Sequence, residues 1–136
     1  MEACDDEGRG MTKRIIVVDD DKEVREIVTM TLKLNGFEVA AASNGQQLER
    51  LLFSESSQLP DLIILDVMMP GEDGFHICQT LHQNSRTRHI PVMIITAHTE
   101  GIYQRISGDL GAVQHMTKPF HPLELSERVR SILRPE

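Results

Sequence analysis

Residues 61–70 read Asp61-Leu62-Ile63-Ile64-Leu65-Asp66-Val67-Met68-Met69-Pro70. Four consecutive branched apolar residues without polar alternation are the pattern of a strand covered on both faces, the kind found in parallel sheets layered between helices. The run stops at an acid, so a carboxylate is delivered to the carboxyl end of the most apolar strand. Outward from it, Ile15-Ile16-Val17-Val18, Val39-Ala40-Ala41, Val92-Met93-Ile94-Ile95 and a weaker Ala112 to Met116 repeat the pattern. Between these runs, apolar residues recur at helical spacing: Val24, Ile27, Val28 and Thr31; Leu48, Leu51 and Leu52; Ile77, Cys78 and Leu81; Ile102 and Ile106; Leu125, Val129 and Ile132. Asn35-Gly36 closes the first helix, Ser43 or Asn44 caps the second, and Pro122 suits the first turn of the last. Five βα units in a single α/β domain are expected, a doubly wound parallel sheet with right-handed crossovers.

Composition fits that size. The chain has 136 residues, 21 acidic against 14 basic, a net charge of −7 and 40% hydrophobic residues, enough for one core and too few for two. Residues 1–10 hold four acids, one base and nothing to bury, so residues 1–11 read as a flexible acidic tail and 12–134 as the domain. No run of basic residues exceeds two, which argues against direct nucleic-acid binding and against a membrane surface. No apolar run approaches the roughly 20 residues of a membrane span. Two cysteines, Cys4 and Cys78, make neither a disulfide framework nor a zinc knuckle, and a reduced, cytoplasmic setting is expected.

In an open parallel sheet, ligands bind beyond the carboxyl ends of the strands. There the first run is followed by Asp19-Asp20-Asp21, the third by Asp66, the fourth by Thr96-Ala97 and the fifth by Thr117-Lys118-Pro119. Carboxylates about 5 Å apart repel by roughly 3 kcal/mol at an effective dielectric near 20, a sizeable share of a small domain's stability. Asp19 or Asp20 together with Asp66 therefore calls for a cation. A few hard oxygen ligands open to water favour Mg2+. Lys118 can neutralise a phosphoryl oxygen or hold a carboxylate, and Thr96 brings a hydroxyl donor. Asp21 is explained as the cap of the first helix. Asp66 is not, because no helix begins until after Met69-Pro70-Gly71.

Taken in order, Ile15 to Asp20, Asp61 to Pro70 followed by Asp73-Gly74, Pro91 to Ala97, Gly111-Ala112 and Thr117-Lys118-Pro119-Phe120 resemble the receiver domain of two-component response regulators, over about Arg14 to Leu133. The resemblance implies a flavodoxin-like, CheY-like sheet in the order 2-1-3-4-5 and a phosphoacceptor switch in a phosphorelay. Asp66 would take a phosphoryl group from the phosphohistidine of a sensor histidine kinase or phosphotransfer protein. Asp20, Asp66 and the backbone carbonyl of Met68 would ligate Mg2+ (or Mn2+), with Asp19 holding a metal-bound water. Thr96 and Lys118 would bind phosphoryl oxygens. The Lys118-Pro119 bond would be cis, Pro70 would fix the turn beneath Asp66, and Gly74 would start the third helix close to the sheet. The fourth helix, fifth strand and fifth helix would present the change to a downstream effector or to an output domain outside this sequence, and a homodimer is left open. Such a protein is a regulator, not an enzyme, catalysing at most its own phosphorylation and dephosphorylation.

Two departures from the family pattern matter, one at His115 and one at Met68 and His98. His115 stands where a Tyr or Phe switch is usual, so it is either a half-buried strand histidine or a switch that follows Thr96 and adds pH sensitivity. Met68 and His98 occupy positions bordering the path of an attacking water, and His98 is expected to govern the phosphoryl lifetime more than Met68. His76, His82, His89 and His121 show no metal-ligand spacing. Two alternative functions are a phosphorylation-independent interaction module and, less well supported, an Mg2+-dependent phosphatase. The retained charge cluster weighs against the first, and the lack of an insertion long enough for a specificity cap against the second.

Overall fold

A computed structural model describes residues 12–54, 58–69, 71–97 and 112–133. Within them β1 (Arg14–Val18), β2 (Glu38–Ala42), β3 (Leu62–Asp66), β4 (Val92–Thr96) and β5 (Ala112–Thr117) form one parallel sheet in the order β2-β1-β3-β4-β5. Four helices are described: α1 (Lys22–Leu34), α2 (Gly45–Phe53), α3 (Gly74–Gln83) and α4 (Pro122–Leu133). The helix expected around Ile102 and Ile106 lies outside the described residues, as do residues 1–11, Pro70, His98 and Gly111.

Alternation along the strands feeds two cores. Ile16, Val18, Ile63, Leu65, Val92 and Ile94 pack with Leu48 and Leu52 of α2 and Phe75, Cys78 and Leu81 of α3. Ile15, Val17, Leu62, Ile64, Met93, Ile95 and Met116 pack on the other face with Val28 and Leu32 of α1 and Leu125 and Val129 of α4. The central strands β1, β3 and β4 are thus covered on both sides, as their unbroken apolar runs require. β2 is not: Val39 and Ala40 are half-buried and Ala41 is exposed, because it is an edge strand. The stripe on α1 also differs from the expected one. Val24, Val28 and Leu32 face the core, whereas Ile27 is 46% exposed, since it lies about 100° around the helix from Val28.

Loop chemistry places the strand ends. The Asp21 carboxylate accepts the Glu23 N–H at 2.9 Å and caps α1. At α2 the cap is Asn44, which accepts from the Gln47 N–H at 2.8 Å, while the N–H of Ser43, just before the cap, donates to Gln47 Oε1 at 2.7 Å and ties the incoming loop to the first turn. After β3 the chain makes a short antiparallel ribbon, Met68–Met69 against Glu72–Asp73, turning at Gly71 with φ +74. Asp73 then caps α3 through the Phe75 N–H at 2.9 Å. Gly74 opens that helix with no room to spare, since a Cβ there would lie 2.2 Å from Val67 Cα and 2.9 Å from the Asp66 carbonyl oxygen.

At the other sheet edge, Arg128 of α4 donates from Nη1 to the His115 carbonyl at 3.0 Å and to Gln114 Oε1 at 3.3 Å, while its Nη2 pairs with Glu124 at 3.2 Å. No helix among the described residues is long and apolar enough to cross a membrane.

Candidate functional site

Parallel register brings the strand ends level. Val18 pairs with Leu65, Asp66 with Ile95, and Thr96 with Thr117, so Asp19, Asp66, Thr96 and Lys118 all arrive at the carboxyl edge of the sheet. Asp19 is fully buried, and each of its polar atoms has a neighbour at close range. Its N–H donates to the Ala42 carbonyl at 3.1 Å, Oδ1 accepts the Asp21 N–H at 2.9 Å, its carbonyl accepts Arg25 Nη1 at 2.8 Å, and Oδ2 lies 2.8 Å from Lys118 Nζ. Lys118 Nζ also donates to Asp66 Oδ2 at 3.0 Å. Its own N–H donates to the Thr96 carbonyl at 2.9 Å, and the bond to Pro119 is cis.

One carboxylate oxygen from each of Asp19, Asp20 and Asp66 can be chosen so that all three lie within 4.8 Å of one another. At that separation each pair repels by roughly 3.5 kcal/mol at an effective dielectric of about 20. The cost is visible in Asp19, whose pKa is raised: burial pushes it up, Asp66 adds to the rise, and the neighbouring ammonium and the Asp21 N–H only partly offset this. For Lys118, burial works against the charge, but the carboxylates of Asp19 and Asp66 outweigh it and its pKa is also raised. The approach of Lys118 to Asp19 Oδ2 is an ion pair without hydrogen-bond alignment, which leaves a buried anionic oxygen with unused acceptor capacity. Hard oxygen donors, surplus negative charge and an unsatisfied buried oxygen fit a divalent cation of the Mg2+ or Mn2+ type.

The expected residues thus fall into groups. Asp19, Asp20, Asp66 and Lys118 converge. Thr96 is fully buried at the end of β4, one residue beyond Asp66's partner Ile95. Met68 follows Asp66 by two residues on the ribbon. His115 is half-buried opposite Ile94, hence on the same face of the sheet as Thr96 and one side-chain layer below it. Pro70 and His98 lie outside the described residues.

One participant was not evident from spacing: Arg25, which reaches from α1 to the Asp19 carbonyl. The signal for it is a cation one turn into a helix that begins right after the acidic cluster, because helical side chains lean toward the N-terminus.

Residues 15–130 match the model of the response regulator receiver domain family. The chain is 42% identical over 123 residues to the "Probable transcriptional regulator ycf27" of Porphyra purpurea, covering 90% of this chain and 48% of that protein. It is 39% identical over 124 residues to the alkaline phosphatase synthesis transcriptional regulatory protein PhoP of Bacillus subtilis (strain 168), covering 91% and 50%. The chain therefore spans about half the length of these relatives. Among solved structures, the Mn(2+)-bound form of response regulator Rcp1 superposes with a TM-score of 0.73 at 28% identity, covering 88% of this chain and 91% of that one.

Proposed function

The chain belongs to the response regulator receiver domain family, and from that premise we propose that it is a phosphoacceptor switch whose reacting atom is a carboxylate oxygen of Asp66. The observation that carries the reading is the placement of Lys118 Nζ, 2.8 Å from Asp19 and 3.0 Å from Asp66, beside three clustered carboxylates at one sheet edge. Phosphoryl transfer depends on positioning and charge neutralisation more than on covalent help from the protein. Asp19, Asp20 and Asp66, with the Met68 carbonyl, would hold a divalent cation, which when bound neutralises charge on the transferring group.

Asp66 attacks phosphorus, forming an O–P bond as the P–N bond of a phosphohistidine breaks, and the imidazole leaves with the electron pair. Lys118 then has a phosphoryl oxygen to pair with in place of one carboxylate, and Thr96 supplies a hydroxyl to another. The product is an acyl phosphate, labile enough to serve as a signal. A sensor histidine kinase or phosphotransfer protein is the donor in this reading. A downstream effector or an output domain is the receiver, and the setting is cytoplasmic.

The test is incubation with acetyl phosphate and Mg2+ followed by intact mass measurement. One labile phosphate-sized gain, absent from Asp66→Asn and suppressed by a chelator, is the expected result. No gain in the wild-type chain refutes the switch and favours an interaction module.

A further inference from the structure

The Asp20 carboxylate is exposed, and among the described residues no hydrogen bond or ion pair holds it. No side-chain partner fixes it, so the place from which it reaches is set by the backbone, including the peptide joining Asp19 to Asp20. β1 ends at Val18, so the Asp19 carbonyl has passed beyond the strand ladder and needs a partner from elsewhere. Arg25 supplies it, donating from Nη1 at 2.8 Å in a part-buried contact. On the other side of the same residue, the Asp19 N–H is fixed to the Ala42 carbonyl at 3.1 Å and Oδ1 to the Asp21 N–H at 2.9 Å. To these anchors on Asp19, Arg25 adds a hold on the carbonyl of the Asp19–Asp20 peptide itself.

We propose that Arg25 is a positioning residue for the divalent cation: its grip on the Asp19 carbonyl aims the Asp20 carboxylate toward Asp19 and Asp66. This rests on the cation-binding part of the function proposed above. The proposal predicts a sign opposite to that of simple electrostatics. A guanidinium next to a cation site repels the ion, so if its charge were all that mattered, removing it would tighten binding. If positioning dominates, removing it weakens binding even though a repulsive charge has gone.

The experiment uses the 136-residue chain and Mn2+ alone, with affinity read by isothermal titration calorimetry and free Mn2+ by electron paramagnetic resonance. Arg25→Met keeps the apolar stem while removing donor and charge, and Arg25→Ala checks that the result does not depend on the stem. Arg25→Lys restores a donor and the charge. The expected result is an affinity about tenfold weaker in Arg25→Met, in line with loss of one hydrogen bond involving a charged group, with substantial recovery in Arg25→Lys. An unchanged or tightened affinity in Arg25→Met overturns the inference. So does equal weakening in Met and Lys variants that tracks a matching loss of urea stability, because that is general destabilisation. Wild-type protein that binds no Mn2+ overturns the cation site itself and this inference with it, whereas wild-type binding with an unaffected Arg25→Met removes the inference alone.

Discussion

Replacing Lys118 by Met keeps an unbranched chain in place but removes the ammonium that touches two carboxylates. At 2.8 Å and 3.0 Å those contacts are each worth roughly 5.5–6 kcal/mol at an effective dielectric of about 20. The desolvation of three charges offsets much of this, and orphaning a buried charge typically costs about 3–5 kcal/mol. A loss of that size is expected near neutral pH, since the Asp19 side chain is 0% and the Asp66 side chain 5% exposed.

Its pH dependence follows from the shifts. The Lys118 ammonium, with its pKa raised above 10.5, contributes stability throughout the range below 10.5 and loses it only as pH rises through the higher folded value. Asp19 is raised above 3.8, so the native state holds that proton more tightly than the unfolded chain does, and stability falls as pH climbs from 3.8 through the folded value. Without Lys118 that fall steepens. The wild-type and variant curves should therefore converge in acid and separate toward neutrality, and millimolar Mg2+ should recover part of the difference by binding the native state. Urea unfolding followed by far-UV circular dichroism measures all three. A difference under about 1 kcal/mol near neutrality, the size of an exposed ion pair, would refute the reasoning, as would a loss that neither acid nor Mg2+ reduces.

Gly74→Ala drives a methyl into the Val67 backbone and should cost at least about 2 kcal/mol, through displacement of α3 from the end of β3; an unchanged urea midpoint would contradict the close approach. Burial pushes the Cys78 thiol up to about 11, so alkylation mapped to its peptide should be slow near neutral pH in the native protein and rapid in urea. Fast native labelling at Cys78 would show that the α3 core opens readily. His115→Tyr tests whether that position follows Thr96: unchanged partner binding with and without an acyl-phosphate mimic removes His115 as a switch.

Legibility followed burial. The runs at β1, β3 and β4 are apolar throughout because both faces are covered, and their ends are legible to within one residue, which is enough to put Asp19, Asp66 and Thr96 at the sheet edge. β2 and Ile27 misled because edge strands and helix flanks tolerate apolar residues that water still reaches. The ribbon after Asp66 left no periodic signal, as two residues per strand are too few to show one. Arg25 was hidden for a different reason: its partner is a backbone carbonyl, which every residue has, so no side-chain pattern marks the pair. Lys118 was legible because an isolated lysine between Met116 and Phe120 has no structural explanation apart from the acids it faces.

The clasp of Arg128 on β5 has a bearing on how the molecule behaves among its own copies. An outermost strand offers unsatisfied amides and carbonyls to any passing extended chain, the usual opening for sheet extension and fibre growth. Here the His115 carbonyl and the Gln114 side chain are already engaged by α4, so an incoming strand must first displace a guanidinium. That guards part of this border against stacking between copies at high protein concentration.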